Sequence, residues 1–214
     1  IFRSGVTYMK LEGLYAITDS VLTPYGDIER YVSEAIRGGA KILQLRDKEL
    51  KDEELYPVAV RLKRLCDENG VCFIIDDRVV LAKAVNADGI HIGLEDIDPL
   101  DAREIIGSGK IIGVSCYGDL ERAKGAIKKG ADYVAFGSFF PSPTKPHAKV
   151  VDKSVLSEAK SLGVPVCAIG GIGINNGGEL VTAGADMLSV ISALWVGDIY
   201  QNASCFSSFY KNLS

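Results

Sequence analysis

A short loop places two hydroxyl groups and a lysine directly after an apolar run. The run DYVAFGSFF, residues 132–140, has the composition of a buried strand, and PSPTKP, residues 141–146, follows it at once. This loop holds Ser142, Thr144 and Lys145 among prolines. A solvated turn is one explanation. The other is a rigid anion-binding loop, because hydroxyl and ammonium groups donate hydrogen bonds to phosphate oxygens.

Other polar residues stand where further apolar runs end, and their types complement one another. These candidates are Gln44, Arg46, Lys48, Asp76, Asp77, His91, Asp96, Ser115 and Ser192, and Gly171 belongs to a glycine pair at the end of another run. Asp77 and Asp96 follow neighbouring runs and can share Mg²⁺, which takes one or two protein carboxylates together with phosphate oxygens and water. Arg46, Lys48 and Lys145 supply cationic donors for a diphosphate. His91, at a strand end, is a candidate substrate contact.

Each of these residues also has an explanation without chemistry. Asp76, Asp77 and Asp96 can cap the helices that follow them. His91 can be a packed core histidine, and the hydroxyl of Ser115 can bond the backbone. These explanations weaken when the residues are considered jointly, because capping and packing would scatter polar groups over both ends of the strands instead of one.

Eight apolar runs alternate with amphipathic segments along the chain. The runs are residues 14–18, 41–46, 71–77, 89–93, 110–116, 132–140, 164–172 and 187–194. They are nearly continuous, as expected for parallel strands covered on both faces, and residues 52–69 show helical spacing of apolar positions. Strict alternation without a linker predicts a single-domain (β/α)₈ TIM barrel over residues 14–214, with its site at the carboxyl ends of the strands. An open doubly wound sheet is the alternative, although no GxGxxG follows the first run.

One short pattern recurs where helices are expected to lead into strands. It reads GGAKILQLR at 38–46, KGADYVAFG at 129–137 and AGADMLSVI at 183–191, with NADGIHIG at 86–93 as a near-copy. Each copy has a glycine or asparagine and then an Ala-Asp or Ala-Lys step. The pattern predicts a glycine-capped helix end followed by a tight turn into the strand.

The amino-acid composition limits the classes of protein to which the chain can belong. The chain has 214 residues, 47% of them hydrophobic and 24% charged, which is typical of a globular domain. A net charge of -4 gives no electrostatic reason to expect nucleic acid, and no apolar run approaches the ~20 residues of a membrane span. The five cysteines show no CxxC pair, so we expect reduced thiols in a cytoplasmic protein. Residues 1–13 are expected to be an N-terminal extension or expression remnant plus a lead-in, too polar for a signal peptide.

The order of these motifs resembles the thiamin phosphate synthase family over about residues 14–194. The motifs are QLRDK, IIDDR, GIHIGLED, IGVS, PSPTK, AIGGI and VISA. The resemblance implies a (β/α)₈ barrel that joins a hydroxymethylpyrimidine diphosphate to a hydroxyethylthiazole phosphate, releases pyrophosphate and requires Mg²⁺. It implies a dissociative mechanism, in which the diphosphate leaves before the thiazole nitrogen attacks. Small-molecule substrates are the expected partners; the oligomeric state stays open, with a homodimer as one alternative.

The resemblance also implies a role for each site residue. The diphosphate contacts are implied at Arg46, Lys48, Asp76, Ser115 and Lys145. Gln44 is implied at the pyrimidine, and Asp77 and Asp96 as the Mg²⁺ carboxylates. On the thiazole phosphate side, the implied contacts are Ser142, Thr144, Gly171, Ile191 and Ser192.

Two positions depart from the family pattern. The usual GQED is GLED here, so Leu94 replaces an amide. Asp76 stands where the family usually has asparagine. Its added negative charge disfavours a diphosphate unless Mg²⁺ or Arg78 offsets it.

Three other functions compete with the synthase. A thiazole tautomerase-like member of the same family would need an acid–base residue, for which His91 is the strand-end candidate. A sugar-phosphate aldolase would need a lysine inside a strand. A non-catalytic binder of thiamin precursors would need no turnover. The Arg46–Lys48 and Thr144–Lys145 pairs favour the synthase.

Overall fold

Strands and helices alternate throughout the computed structural model, which describes residues 10–141 and 149–211. The strands are β1 (Gly13–Ile17), β2 (Ala40–Leu45), β3 (Cys72–Asp76), β4 (Gly89–Ile92), β5 (Ile111–Tyr117), β6 (Tyr133–Phe136), β7 (Val166–Ile169) and β8 (Met187–Val190). The helices are α1 (Ile28–Arg37), α2 (Asp52–Asn69), α3 (Val79–Ala84), α4 (Pro99–Ile106), α5 (Leu120–Lys128), α6 (Ser154–Ala159), α7 (Gly177–Ala183), α8 (Ser192–Trp195) and α9 (Ile199–Ser208).

The strands form one closed parallel barrel in the order β1 to β8, and β1 pairs with β8. This closure confirms the predicted (β/α)₈ barrel and rules out the open doubly wound sheet. The indole Nε1 of Trp195 donates to the carbonyl of Ile17 at 2.6 Å, which ties α8 to the strand that closes the ring. The expectation for the N-terminal extension stays a prediction, because residues 1–9 lie outside the described part.

Three strands, β6, β7 and β8, are much shorter than the apolar runs that predicted them. β7 ends at Ile169, although its run continues to residue 172. β6 ends at Phe136, although the run continues to residue 140. β8 ends at Val190, and the last residues of its run form α8. The reason is that apolar residues beyond a strand can also be buried: Phe139 is only 3% exposed although it lies in the loop after β6.

The apolar core has two parts. The larger one lies between the barrel and its helices, where aliphatic side chains such as Leu43 and Leu62 are fully buried. The smaller one fills the barrel and contains the phenols of Tyr15 and Tyr133 as well as aliphatic side chains. Polar groups therefore reach the centre of the barrel, below the carboxyl ends of its strands.

The recurring Ala-Asp step has a structural role at the opposite end of the barrel. Asp88, Asp132 and Asp186 each precede a strand, and each carboxylate accepts from a backbone N–H of the preceding strand at 2.8 Å. Each aspartate also returns a bond from its own N–H to that strand. The copy at 38–46 has Lys41 instead, which offers no acceptor. In three copies of the repeat, the aspartate therefore joins its own strand to the preceding strand by two hydrogen bonds.

Four cysteines are buried, Cys205 is half-buried, and no disulfide joins any of the five. Burial raises the pKa of Cys66 to about 12, so this thiol stays protonated near neutral pH. Within residues 10–141 and 149–211, none of the helices combines the length and the apolar character needed to cross a bilayer. The expected cytoplasmic location stays a prediction.

Candidate active site

A cavity of about 1120 Å³ opens at the carboxyl end of the barrel. The predicted residues that line it are Gln44, Arg46, Lys48, Asp76, His91, Asp96, Ser115, Gly171, Ile191 and Ser192. Its volume slightly exceeds the usual range of about 300–1,000 Å³ for small-molecule sites. Side chains from six strands and the loops after them therefore meet in one space, as the predicted barrel requires.

The predicted anion-binding loop falls mostly outside the described residues. Ser142, Thr144 and Lys145 are among the undescribed positions, so their roles stay predictions. The flanking residues Pro141 and Lys149 both line the cavity.

Basic and acidic side chains from two adjacent strand ends form a cluster at the cavity. The ammonium of Lys48 lies 2.9 Å from Asp76 Oδ2 and also donates to Asp77. Arg46 Nε lies 3.6 Å from the same oxygen of Asp76. The added charge of Asp76 is thus offset by Arg46 and Lys48.

The pKa values of Lys48 and Asp77 are both raised in this cluster. Burial alone would lower the pKa of Lys48, but Asp77 and Asp76 outweigh burial and raise it. Burial raises the pKa of Asp77, and the charges of Asp76 and Asp96 add to that effect against the opposing pull of Lys48. The two increases are compatible. Lys48 lies beside two carboxylates, which stabilise its positive charge. Asp77 lies near two other carboxylates, which disfavour its negative charge, and beside one ammonium, which favours it. The neighbouring carboxylates therefore add to the effect of burial at Asp77.

The capping explanation for the aspartates is wrong. The residue preceding α3 is Arg78, and no side chain caps that helix. The cap of α4 is Asp98, which accepts from Leu100 N–H at 3.0 Å. Asp96 instead accepts from Gly93 N–H at 2.6 Å within its own loop. Asp77 has φ of 49°, a left-handed conformation that is uncommon for residues with side chains and is found preferentially at functional sites.

Sequence reasoning missed a second set of contacts that holds the loop after β2. Asp47 is only 4% exposed, and its carboxylate accepts from the hydroxyl of Tyr25 and from the N–H of Glu49 at 2.8 Å. The guanidinium of Arg78 donates to the Asp47 carbonyl at 2.9 Å and to Asp52 at 2.7 Å. Arg78 therefore supports the loop that carries Lys48, and its guanidinium contacts Asp47 and Asp52, whereas Arg46 and Lys48 contact Asp76. The charged QLRDK run gave no signal that its aspartate is buried.

A chain of polar side chains crosses the floor of the cavity. Gln44 Nε2 donates to Tyr15 OH at 2.7 Å, and Tyr15 OH lies 2.9 Å from Tyr133 OH. Tyr133 OH lies 2.8 Å from His91 Nδ1, and His91 Nε2 lies 2.9 Å from Ser115 Oγ. His91 is thus both packed, at 8% exposure, and part of the cavity lining. Tyr133 was missed, since a tyrosine in an apolar run suggests only packing.

Residue 171, in the loop after β7, has to be glycine because the loop after β6 packs directly against it. A Cβ on Gly171 would lie 2.5 Å from the Phe140 carbonyl oxygen and 2.6 Å from that of Pro141. The φ of Gly171, 65°, also favours glycine. Gly171, Ile191 and Ser192 border one side of the cavity. Leu94, the other departure from the family pattern, is 58% exposed and is not part of the lining.

Comparisons with a family model and with individual known sequences identify the same family. The family model described as thiamine monophosphate synthase matches residues 14–194. A thiamine-phosphate synthase of Wolinella succinogenes is 49% identical over 196 residues, which cover 90% of each chain. One from Acidithiobacillus ferrooxidans is 43% identical over 209 residues, covering 94% of this chain and 95% of that one.

Solved structures agree with the sequence comparisons. A thiamine phosphate pyrophosphorylase from Pyrococcus furiosus superposes with a TM-score of 0.85 at 38% identity, covering 94% of this chain and 96% of that chain. A thiamine phosphate pyrophosphorylase from Bacteroides thetaiotaomicron, at 18% identity and a TM-score of 0.65, shares the fold. From the match over residues 14–194 and the identity of these relatives, the chain belongs to the thiamine monophosphate synthase family.

Proposed function

We propose that the protein is a thiamine-phosphate synthase, a transferase that joins a hydroxymethylpyrimidine diphosphate to a hydroxyethylthiazole phosphate. The observation that carries the proposal is the cluster of Arg46, Lys48, Asp76 and Asp77 at a cavity large enough for two small substrates. Cations from one strand end and carboxylates from the next suit a diphosphate bound together with a metal ion. Family membership supports the same chemistry.

The reaction needs little covalent participation from the protein. The bond between the pyrimidine methylene and the diphosphate oxygen breaks, and the diphosphate leaves with the electron pair. The thiazole nitrogen then forms the new C–N bond with the resulting cation. The protein has to stabilise the departing charge and hold two reactants aligned. We assign the first task to Arg46, Lys48 and Lys145.

Mg²⁺ fits Asp77 of this cluster together with Asp96 from the loop after β4. Asp77 and Asp96 provide hard oxygen ligands, and two carboxylates plus phosphate oxygens and water suffice for this ion. The raised pKa of Asp77, caused by burial and neighbouring carboxylates, supports a need for positive charge here. When bound, Mg²⁺ would neutralise charge on the diphosphate oxygens. Lys48 contacts Oδ2 of Asp77, so the second oxygen of that carboxylate is available to the ion.

The other side of the cavity is assigned to the thiazole phosphate. Gly171 allows the close approach of two chain segments, and Ser192 begins α8, so the first N–H groups of that helix have no partner within it. Two separate anion sites would hold the reacting nitrogen and methylene in a fixed relation. Ser142 and Thr144 are proposed to contribute to this second site.

The competing functions fit less well. A Schiff-base aldolase needs a lysine inside the barrel, but in the strands that the structure describes the lysine is Lys41, exposed near the start of β2. A tautomerase needs an acid–base group, but both ring nitrogens of His91 are engaged, by Tyr133 and Ser115.

Pyrophosphate release measured with each substrate omitted in turn tests the proposal. Release and thiamin phosphate formation are expected only when Mg²⁺ and both substrates are present. Release from the pyrimidine diphosphate alone would indicate a hydrolase. Thiazole phosphate binding without pyrophosphate release would favour the tautomerase or a non-catalytic binder.

A further inference from the structure

We propose that the hydroxyl of Ser115 is held as a hydrogen-bond donor aimed into the cavity, and that a one-way chain of hydrogen bonds through the barrel holds it so. The members of the chain, in order, are Gln44, Tyr15, Tyr133, His91 and Ser115. The identity of the acceptor, the pyrimidine diphosphate, rests on the proposed function. The direction of the chain does not. Tyr133 and His91 are positioning residues in this scheme.

The direction is set at Tyr15. This phenol is 1% exposed, and its oxygen accepts a hydrogen bond from Gln44 Nε2. Among the residues that the structure describes, its remaining partner is Tyr133 OH. If Tyr133 donated to Tyr15, the Tyr15 proton would have no acceptor in an apolar core, which is unfavourable for a buried donor. Tyr15 therefore donates to Tyr133.

The direction then passes through the histidine. Since Tyr133 accepts from Tyr15, its own proton goes to His91 Nδ1, 2.8 Å away. The imidazole carries its proton on the other nitrogen, Nε2, which donates to Ser115 Oγ at 2.9 Å. The His91 and Tyr133 rings stack with an angle of 27° between their planes, which helps to fix the ring.

The phenols keep their protons under ordinary conditions. Burial raises the pKa of Tyr15 well above its usual value. Burial and the neighbouring Tyr15 do the same for Tyr133. Both side chains can therefore donate as well as accept at neutral pH.

One proton of the chain remains, and it belongs to Ser115. Its oxygen already accepts from His91, and its side chain is half-buried at the cavity. The hydroxyl proton is thus directed to a ligand in the cavity. A donor fixed before the ligand arrives needs no reorganisation when negative charge develops on the leaving diphosphate.

The tautomer of His91 tests the direction without any assay of activity. The chain has two histidines, so ¹⁵N-histidine labelling gives few signals, and His91→Asn identifies those of His91. We expect protonated Nε2 and unprotonated Nδ1 in the substrate-free protein at neutral pH. A proton on Nδ1, alone or on both nitrogens, would overturn the one-way chain. This result stands whether or not the protein proves to be a synthase.

A double-mutant cycle tests whether Tyr133 acts through Ser115. Tyr133→Phe is expected to lower kcat by about tenfold, a loss typical of coupled neighbours, with KM for the thiazole phosphate little changed. In the Ser115→Ala background the same change should cause no further loss. Losses that multiply in the double variant would show that Tyr133 acts independently of Ser115, and would overturn the proposal.

Tyr210→Phe is the matched control for this cycle. The hydroxyl of Tyr210 is also buried, and it finds no hydrogen-bond partner in the described part of the chain. Its removal should leave kcat unchanged. If Tyr133→Phe fails to fold, the ¹⁵N measurement on the wild-type protein still decides the direction of the chain.

Discussion

Lys48 is shared between two carboxylates, and this arrangement contributes little to stability. Its side chain is 46% exposed, while the side chains of Asp76 and Asp77 are 11% and 21% exposed. Ion pairs with such access to water contribute about 0–1 kcal/mol. For Asp77, burial costs more than the contact with Lys48 returns, because burial is the main cause of the raised pKa of this carboxyl group. The cluster is therefore better explained by binding than by folding.

Asp77→Asn tests the metal assignment at this residue. The substitution keeps the shape of the side chain and removes its charge. We expect the Mg²⁺ concentration for half-maximal activity to rise by at least about tenfold. Removing a residue that only supports a metal ligand already lowers metal affinity or activity by about 10–100-fold, and Asp77 is proposed to be a ligand itself. Glu95→Gln, in the exposed loop beside Asp96, is the control and should leave the titration unchanged. An unaltered titration in the Asp77 variant would place the metal elsewhere.

Lys145→Ala tests the predicted anion-binding loop after β6. If Lys145 contacts the departing diphosphate, kcat should fall by about 10²-fold or more, as when a single donor to a developing anion is removed. The unfolding midpoint should stay the same. Lys153→Ala is the control, because Lys153 pairs with Glu179 on the outer surface at 2.8 Å. A near wild-type rate for the Lys145 variant would remove this lysine from the mechanism.

At the scale of elements, the two ends of the barrel strands serve different purposes. The carboxyl ends place charged and polar groups around the cavity. At the amino ends, the carboxylates of Asp88, Asp132 and Asp186 accept hydrogen bonds from the backbone of the preceding strands. The recurring Ala-Asp pattern thus belongs to the stability of the barrel, as expected of residues at that face.

Asp186→Ala should destabilise the protein and spare its chemistry. Val166 is fully buried, and its N–H would lose the acceptor that lies 2.8 Å away. We expect a loss of about 1–3 kcal/mol in the free energy of unfolding, the usual cost of an unsatisfied buried group, measured by urea denaturation. Asp186→Asn retains a carbonyl oxygen and should recover most of the loss. A drop in kcat per folded molecule would contradict the separation of the two ends.

At the scale of the whole molecule, an acidic protein is proposed to bind two anionic substrates. The net charge of -4 gives no long-range attraction for phosphates. Binding must therefore come from local groups, and at the diphosphate site these groups include three carboxylates that repel an anion. Metal and diphosphate are accordingly expected to bind with positive cooperativity, since each offsets the charge of the other.

Thermal unfolding measures this cooperativity. Mg²⁺ and pyrophosphate added together at about 100 times Kd should stabilise the protein by about 2.7 kcal/mol, equivalent to about 5–10 °C in Tm for a chain of this size. Pyrophosphate alone should produce a much smaller shift, and so should Mg²⁺ alone. An equal shift with pyrophosphate alone would contradict the metal-assisted site.

The sequence by itself determined the fold class and the end of the barrel at which the site lies. Both follow from local properties: the alternation of apolar runs with amphipathic segments, and polar residues such as Gln44, Asp77 and Asp96 where the runs end. The motif order also determined the family. The sequence predicted strand lengths less well, because apolar residues stay buried beyond the end of β6, in the loop that contains Phe139.

Only the tertiary structure decided which polar groups meet. Tyr15 and Tyr133 are 118 residues apart, and their contact depends on β1 and β6 both turning these side chains into the barrel. Arg78 supports the loop carrying Lys48, 30 positions away, although its neighbours suggested a role beside Asp76. These pairings follow from the register and tilt with which eight strands close. That closure is a property of the complete ring, so no single segment of the sequence contains it.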